Sequence, residues 1–174
     1  LLRSKEARAI VTHKQVELAK KTAQKALDSW YIIEVNGKTL LKAQLKEVIG
    51  LNTSFVERTF YGEIEGVRVQ VRPDLLMNLG KTKPVWFCVD LKTAEDATMD
   101  TFMRQSAKFF YDLQEWVYRE VLRQNGINVV DFRFLITGKS DSSGSEYYKV
   151  FSEDVHDVGK VVKKAISKYK YCRD

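Results

Sequence analysis

Cysteine, histidine and proline are scarce, with two of each among 174 residues. Cys88, inside an apolar run, and Cys172, near the end, cannot supply a disulfide framework, and two cysteines suit a reducing cytoplasm. With only His13 and His156 beside them, no Cys/His metal cluster of the zinc type can be assembled. No apolar stretch is long enough to span a membrane, no secretory leader is visible, and there is neither an internal repeat nor a glycine-rich phosphate loop. What is present is enough for a single domain over residues 1–174, because 44% hydrophobic residues can build one core. The chain opens Leu-Leu-Arg without an initiator methionine, so the expectation is part of a longer protein lacking its N-terminal portion. A net charge of +6 and a sequence pI near 9.2 favour a polyanionic partner, although a solvated basic surface would read the same.

Both prolines fall in the most informative stretch, Val67 to Thr93. Val67, Val69 and Val71 alternate with Arg68, Gln70 and Arg72, the pattern of a strand with one buried face, and Pro73 ends that alternation with Asp74 behind it. After a Gly-Lys-Thr-Lys-Pro turn at 80–84, Val85 to Val89 is apolar on both faces, as an interior strand should be, and runs into Asp90-Leu91-Lys92. Asp90 and Lys92 leave the strand on one face, and the intervening turn can bring Asp74 beside them. Two carboxylates suit a hard divalent cation such as Mg2+, with Mn2+ as substitute, and a lysine beside it can orient water or offset developing charge in phosphodiester hydrolysis. Twenty-three acids make an acid-x-Lys triplet cheap, about 2.5 by chance, but this chain has only Asp90-Leu91-Lys92, at the end of its most apolar strand. The alternative is a salt-bridged strand end.

Pro73-Asp74 followed by Asp90-Leu91-Lys92 resembles the PD-(D/E)XK nuclease motif, and Arg72-Pro73-Asp74 with Asp90-Leu91-Lys92-Thr93 resembles the RecE-type exonucleases of phage recombination systems. Gln114 and Tyr118 reproduce the Q-x-x-x-Y signature of the wider RecB-like group. The resemblance runs roughly from Thr12 to Thr137 and is strongest from Val67 to Tyr118. It implies a mixed α/β fold with helices flanking a central sheet. It also implies Mg2+-dependent exonucleolysis from duplex DNA ends, with a homo-oligomer and a single-strand annealing protein as partners. Asp74, Asp90 and the Leu91 carbonyl would ligate the metal, Lys92 would orient water, and Gln114 and Tyr118 would position nucleophile or substrate. An endonuclease of the same fold, or a non-catalytic nucleic-acid-binding module, would carry the same core motif. The family also places a metal-binding histidine on a helix upstream of the aspartates; His13 is a poor match and reads as a capping-turn residue, so that ligand is either missing or lies before Leu1.

Elsewhere, Thr12 and Gln15 have capping-box spacing, predicting a helix from His13 with Val16, Ala19, Ala23, Leu27 and Trp30 inward. Its lysines at 14, 20, 21 and 25 read as a solvated face or as a DNA track. Asn36-Gly37 predicts a tight turn, and a short strand and a short helix ending near Gly50 follow. A strand is expected over 54–62, with Glu57 facing Arg68 or Arg72 across strands or joining the acidic site. Asp100 is a plausible N-cap for one long helix to Gly126 whose core stripe includes Phe102, Phe109, Phe110, Leu113, Val117 and Val121. Gln114 and Tyr118 border that stripe, where they could equally form a polar rim bonded to the sheet. Arg104 and Lys108, one turn apart, read as a solvated surface pair or as holders of phosphates. Val129 to Thr137 and Tyr147 to Phe151 form an antiparallel pair, and a last helix capped by Ser152-Glu153-Asp154 turns Val155, Val158, Val162, Ile166 and Tyr169 inward.

Overall fold

The computed structural model describes residues 12–35, 38–51, 53–80, 82–150 and 152–173. Its centre is a mixed five-stranded sheet in the order β3 (Ser54–Val56), β6 (Leu75–Asn78), β7 (Trp86–Ala94), β8 (Val129–Gly138) and β9 (Ser145–Tyr148). β7 and β8 run parallel and the other neighbours antiparallel. A parallel pair needs a crossover, which two helices provide: α3 (Met99–Phe109) and α4 (Tyr111–Gln124).

Side chains alternate across these strands and sort into two cores. Leu76, Cys88, Phe132, Phe134 and Ile136 face α3 and α4, together with Phe102, Tyr111, Val121 and Leu122. Leu75, Met77, Phe87, Val89 and Leu135 face the opposite layer. That layer holds Ala26 of α1 (His13–Asp28), Tyr31 and Ile33 of β1 (Trp30–Val35), and Leu45 and Val48 of α2 (Leu45–Ile49). Being apolar on both faces, β7 can lie between the two layers. β1 pairs with β2 (Lys38–Gln44), and β4 (Phe60–Ile64) pairs with β5 (Val67–Val71), each as a separate two-stranded ribbon. α5 (Ser152–Arg173) packs on α4 so closely that a Cβ on Gly159 would lie 2.6 Å from Trp116 Nε1.

Several expectations change. The strand predicted over 54–62 is two strands, divided at Glu57, whose φ is 47°. The long helix is divided at Phe110, φ 55°, and is capped by Thr98, whose hydroxyl accepts from the Thr101 N–H; Asp100 lies in its first turn instead of capping it. Phe109 and Phe110 point to solvent because that break turns them off the core stripe. α1 has the Thr12–Gln15 capping box but buries only Thr22 and Ala26, leaving Val16, Ala19 and Ala23 exposed, as is Trp30. The partner of β8 begins two residues earlier than expected, at Ser145, and Tyr169 faces solvent while Val158 and Val162 are buried. The Asn36-Gly37 turn and the side chains of Ser152 to Asp154 and Val155 lie outside the described residues.

Candidate active site

The strand that brings the two aspartates together is β6, not the Val67–Val71 strand that Pro73 ends. β5 pairs only with β4, whereas β6 begins directly after Asp74 and pairs with β7 in the register Leu75 to Val89, Leu76 to Cys88. One further step of that register sets Asp74 opposite Asp90, where cross-strand Cβ atoms stand about 4.5–5.5 Å apart. Both aspartates share the face of Leu76 and Cys88, which is the face covered by α4. At this step the ladder opens. The Leu91 N–H, which has no β6 partner, donates to Asp74 Oδ2 at 2.6 Å, and on the other side the Glu57 N–H donates to the Asp74 carbonyl at 3.1 Å. A strand residue directs its N–H and C=O to the same side, so the Leu91 carbonyl also faces Asp74.

Asp90, Lys92 and Gln114 close a triangle. Lys92 Nζ lies 2.7 Å from Asp90 Oδ2 and donates to Gln114 Oε1 at 2.9 Å, while Gln114 Nε2 donates to Asp90 Oδ1 at 2.7 Å. An amide flip would set oxygen against carboxylate and NH2 against ammonium, so the charges on either side determine its orientation. The Lys92–Asp90 contact is close but misaligned for a hydrogen bond, and leaves Asp90 Oδ2 without an aligned donor in a buried position. Lys92 is also held over the Tyr111 ring, 5.0 Å from its centroid.

Burial raises both carboxyls above the ordinary carboxylate range, against the opposing influences of the Leu91 N–H on Asp74 and of Lys92 on Asp90. Each aspartate also raises the other or is raised by a neighbouring acid: Asp74 acts on Asp90, and Glu57 on Asp74. Tyr118 stands half-buried one turn beyond Gln114, edge-on to Phe132, its hydroxyl pushed up by burial and then by Asp90. Glu57 itself pairs with Arg72 at 3.9 Å.

Asp74, Asp90, Leu91, Lys92, Gln114 and Tyr118 are thus gathered at one strand end. Arg104 and Lys108 stand on α3, outside this group, and His13 is exposed at the start of α1, whose Ala26 packs in the core on the other face of the sheet. A cleft of about 440 Å3 on the α1 side is lined by Leu18, Ala19 and Ala23 of α1 with Leu91, Lys92 and Thr93, so it reaches the lysine of the site although neither aspartate lines it. Tyr111, which carries the Lys92 ammonium, went unnoticed in the sequence; its spacing of three before Gln114 on one helix was the available signal.

The donor set fits a hard divalent ion. Among the described residues no three His, Cys, Asp or Glu side chains converge, so the protein offers two facing carboxylates and a backbone carbonyl, all oxygen. Mg2+ is commonly held in this way, with water and phosphate oxygens completing its shell. The poorly satisfied Asp90 Oδ2 is the oxygen such an ion would serve.

Residues 16–174 match the family described as a PDDEXK-like domain of unknown function, DUF3799. The chain belongs to this family. Among solved structures it is similar to the crystal structure of a "Putative exonuclease" from Eubacterium rectale, with a TM-score of 0.58 and 18% identity over 91% of this chain and 56% of that one. At this identity the likeness shows a shared fold alone, in keeping with the PDDEXK-like family, and this chain spans little more than half the length of that neighbour. No curated protein matches the sequence. No helix among the described residues is long and apolar enough to cross a membrane.

Proposed function

We propose that this domain is a metal-dependent deoxyribonuclease that hydrolyses phosphodiester bonds from duplex DNA ends. The observation that carries the reading is the triangle of Asp90, Lys92 and Gln114 facing Asp74 across the opening of β6 and β7. Asp74, Asp90 and the Leu91 carbonyl would hold Mg2+ or Mn2+, which when bound polarises the scissile phosphate and acidifies water. Lys92 is anchored by Gln114 and Asp90 with its ammonium at the carboxylates, where it can orient a water and offset charge developing on the phosphate. Gln114 sets the rotamers of both charged groups, and Tyr118 offers a protonated hydroxyl to a substrate oxygen. The RecE-type resemblance of Arg72-Pro73-Asp74 and Asp90-Leu91-Lys92-Thr93 supports an exonuclease of phage-type recombination, acting as a homo-oligomer beside an annealing protein. A neighbour named as an exonuclease agrees with the end-directed part.

Incubation of the protein with linear and with circular duplex DNA, with and without Mg2+, tests this. The expected result is Mg2+-dependent loss of the linear form alone. Loss of both forms would make it an endonuclease, and loss of neither a nucleic-acid-binding module.

A further inference from the structure

Phe109 and Phe110 are 55% and 58% exposed, an unusual display of two adjacent phenylalanines, and Phe109 connects to the candidate site through Tyr111, the ring under Lys92. Phe109 is the outermost of three nearly parallel rings: it stacks on Tyr111 at 6.3 Å and 21°, and Tyr111 on Phe134 at 4.8 Å and 16°. The middle ring of this column is the one that carries the Lys92 ammonium. Lys108 Nζ rests over the Phe109 ring, 5.2 Å from its centroid. Phe110, the hinge between α3 and α4, holds φ at 55°, which glycine adopts at less cost than a bulky side chain, so local conformation does not explain a phenylalanine there.

We infer that Phe109 and Phe110 form a stacking platform for an unpaired nucleobase of the DNA strand entering the site. The inference rests on the nuclease reading of that site and adds what it leaves open, the state of the substrate beside the scissile bond. A base laid on Phe109 extends the ring column outward and sets its backbone near Lys92. Lys108 then leaves the ring for a phosphate, with Arg104 one turn before it on the same helix face. A frayed or single-stranded end offers such a base, whereas an intact duplex keeps its bases stacked within the helix.

The test uses metal-free protein, so that nothing is cleaved, and a single-stranded oligonucleotide carrying 2-aminopurine, whose fluorescence is quenched on stacking. Wild-type protein should bind it with quenching. Phe109→Ala and Phe110→Ala should each weaken binding roughly fivefold to a hundredfold, with loss of quenching. Phe109→Tyr should restore both, and affinity for blunt duplex should move less than affinity for the single strand. The idea is overturned if wild-type protein binds without quenching or not at all, if the alanine variants behave as wild type, or if the patch proves to hold a second copy of the chain, seen as a dimer in solution that the alanine variants lose. Mg2+-dependent cleavage by a protein that does not quench would keep the nuclease and discard the platform; quenching without cleavage would do the reverse.

Discussion

Asp90 is a carboxylate with 3% of its surface exposed, held against an ammonium and still raised above the ordinary carboxylate range because burial outweighs its partners. Between the ordinary value of 3.8 and that raised value the folded protein binds more protons than the unfolded chain. In that window the metal-free protein therefore loses stability as pH rises, and above it the whole penalty persists. The same sign applies to Asp74. Asp90→Asn removes the charge but keeps an oxygen for Gln114, so the melting temperature of the variant relative to wild type should climb as pH rises from 4 to 7 in chelator. A difference that is flat or falls with pH would show that the Lys92 pair outweighs burial. The raised carboxyls must lose protons to take a cation, so Mn2+ affinity should drop as pH falls through the same window, with proton release visible as buffer-dependent heat in calorimetry. Lys92→Ala should leave that affinity intact or improved, since an ammonium cannot ligate and lies against a ligand oxygen, while turnover falls about 10²- to 10³-fold. Equal loss of binding and turnover would make Lys92 structural. These side chains were legible in the sequence because alternation along β7 and the four-residue spacing on α4 fix which face each takes.

At the scale of elements, strand and helix identities were readable where a period ran undisturbed, as in β5, β8 and α1, and in β7 from an apolar run closed by a turn on one side and charges on the other. The breaks at Glu57 and Phe110 were not, because each is a non-glycine residue at positive φ, and neither residue type marks a turn. β6 was missed as a strand of its own: Leu75, Leu76 and Met77 are buried on both faces and show no alternation to read. The strained hinge makes a prediction. Phe110→Gly relieves a left-handed conformation while raising the entropy of the unfolded chain, so stability in urea should stay level or rise by up to about 1 kcal/mol. A loss above that would mean that the phenyl ring packs in solution and is not displayed. The contact of α5 predicts the opposite. Gly159→Ala drives a methyl against the Trp116 indole and should destabilise by about 1–3 kcal/mol, and Trp116 fluorescence should report the displaced helix.

For the molecule as a whole, the sheet separates two basic surfaces, and only one lies with the candidate site. Both aspartates, Lys92 and Gln114 face α3 and α4, where Arg104 donates to a neutral Thr101 hydroxyl and acts on Asp96, and Lys108 rests on a ring. α1 packs on the opposite face. Its Lys25 donates to the carbonyls of Gly138 and Ser140, Lys20 pairs with Glu17, and Lys21 lies 3.7 Å from Asp141. The sequence showed both clusters as charge spacings on helices and could not rank them, since neither spacing says which side of a sheet a helix will cover. The fold ranks them. Duplex affinity of the metal-free protein should fall with salt, the logarithmic slope being about 0.9 per phosphate neutralised. Arg104→Ala and Lys108→Ala should each reduce that slope by about one. Lys20→Ala and Lys21→Ala should leave it unchanged, because each already faces an acid, Glu17 or Asp141, and their helix packs against the opposite core of the sheet. Anisotropy titrations between 50 and 200 mM salt would measure the slopes. If the α1 lysines set the slope and the α3 pair does not, DNA follows the other face of the sheet and must reach the aspartates past the strand ends where β6 and β7 part.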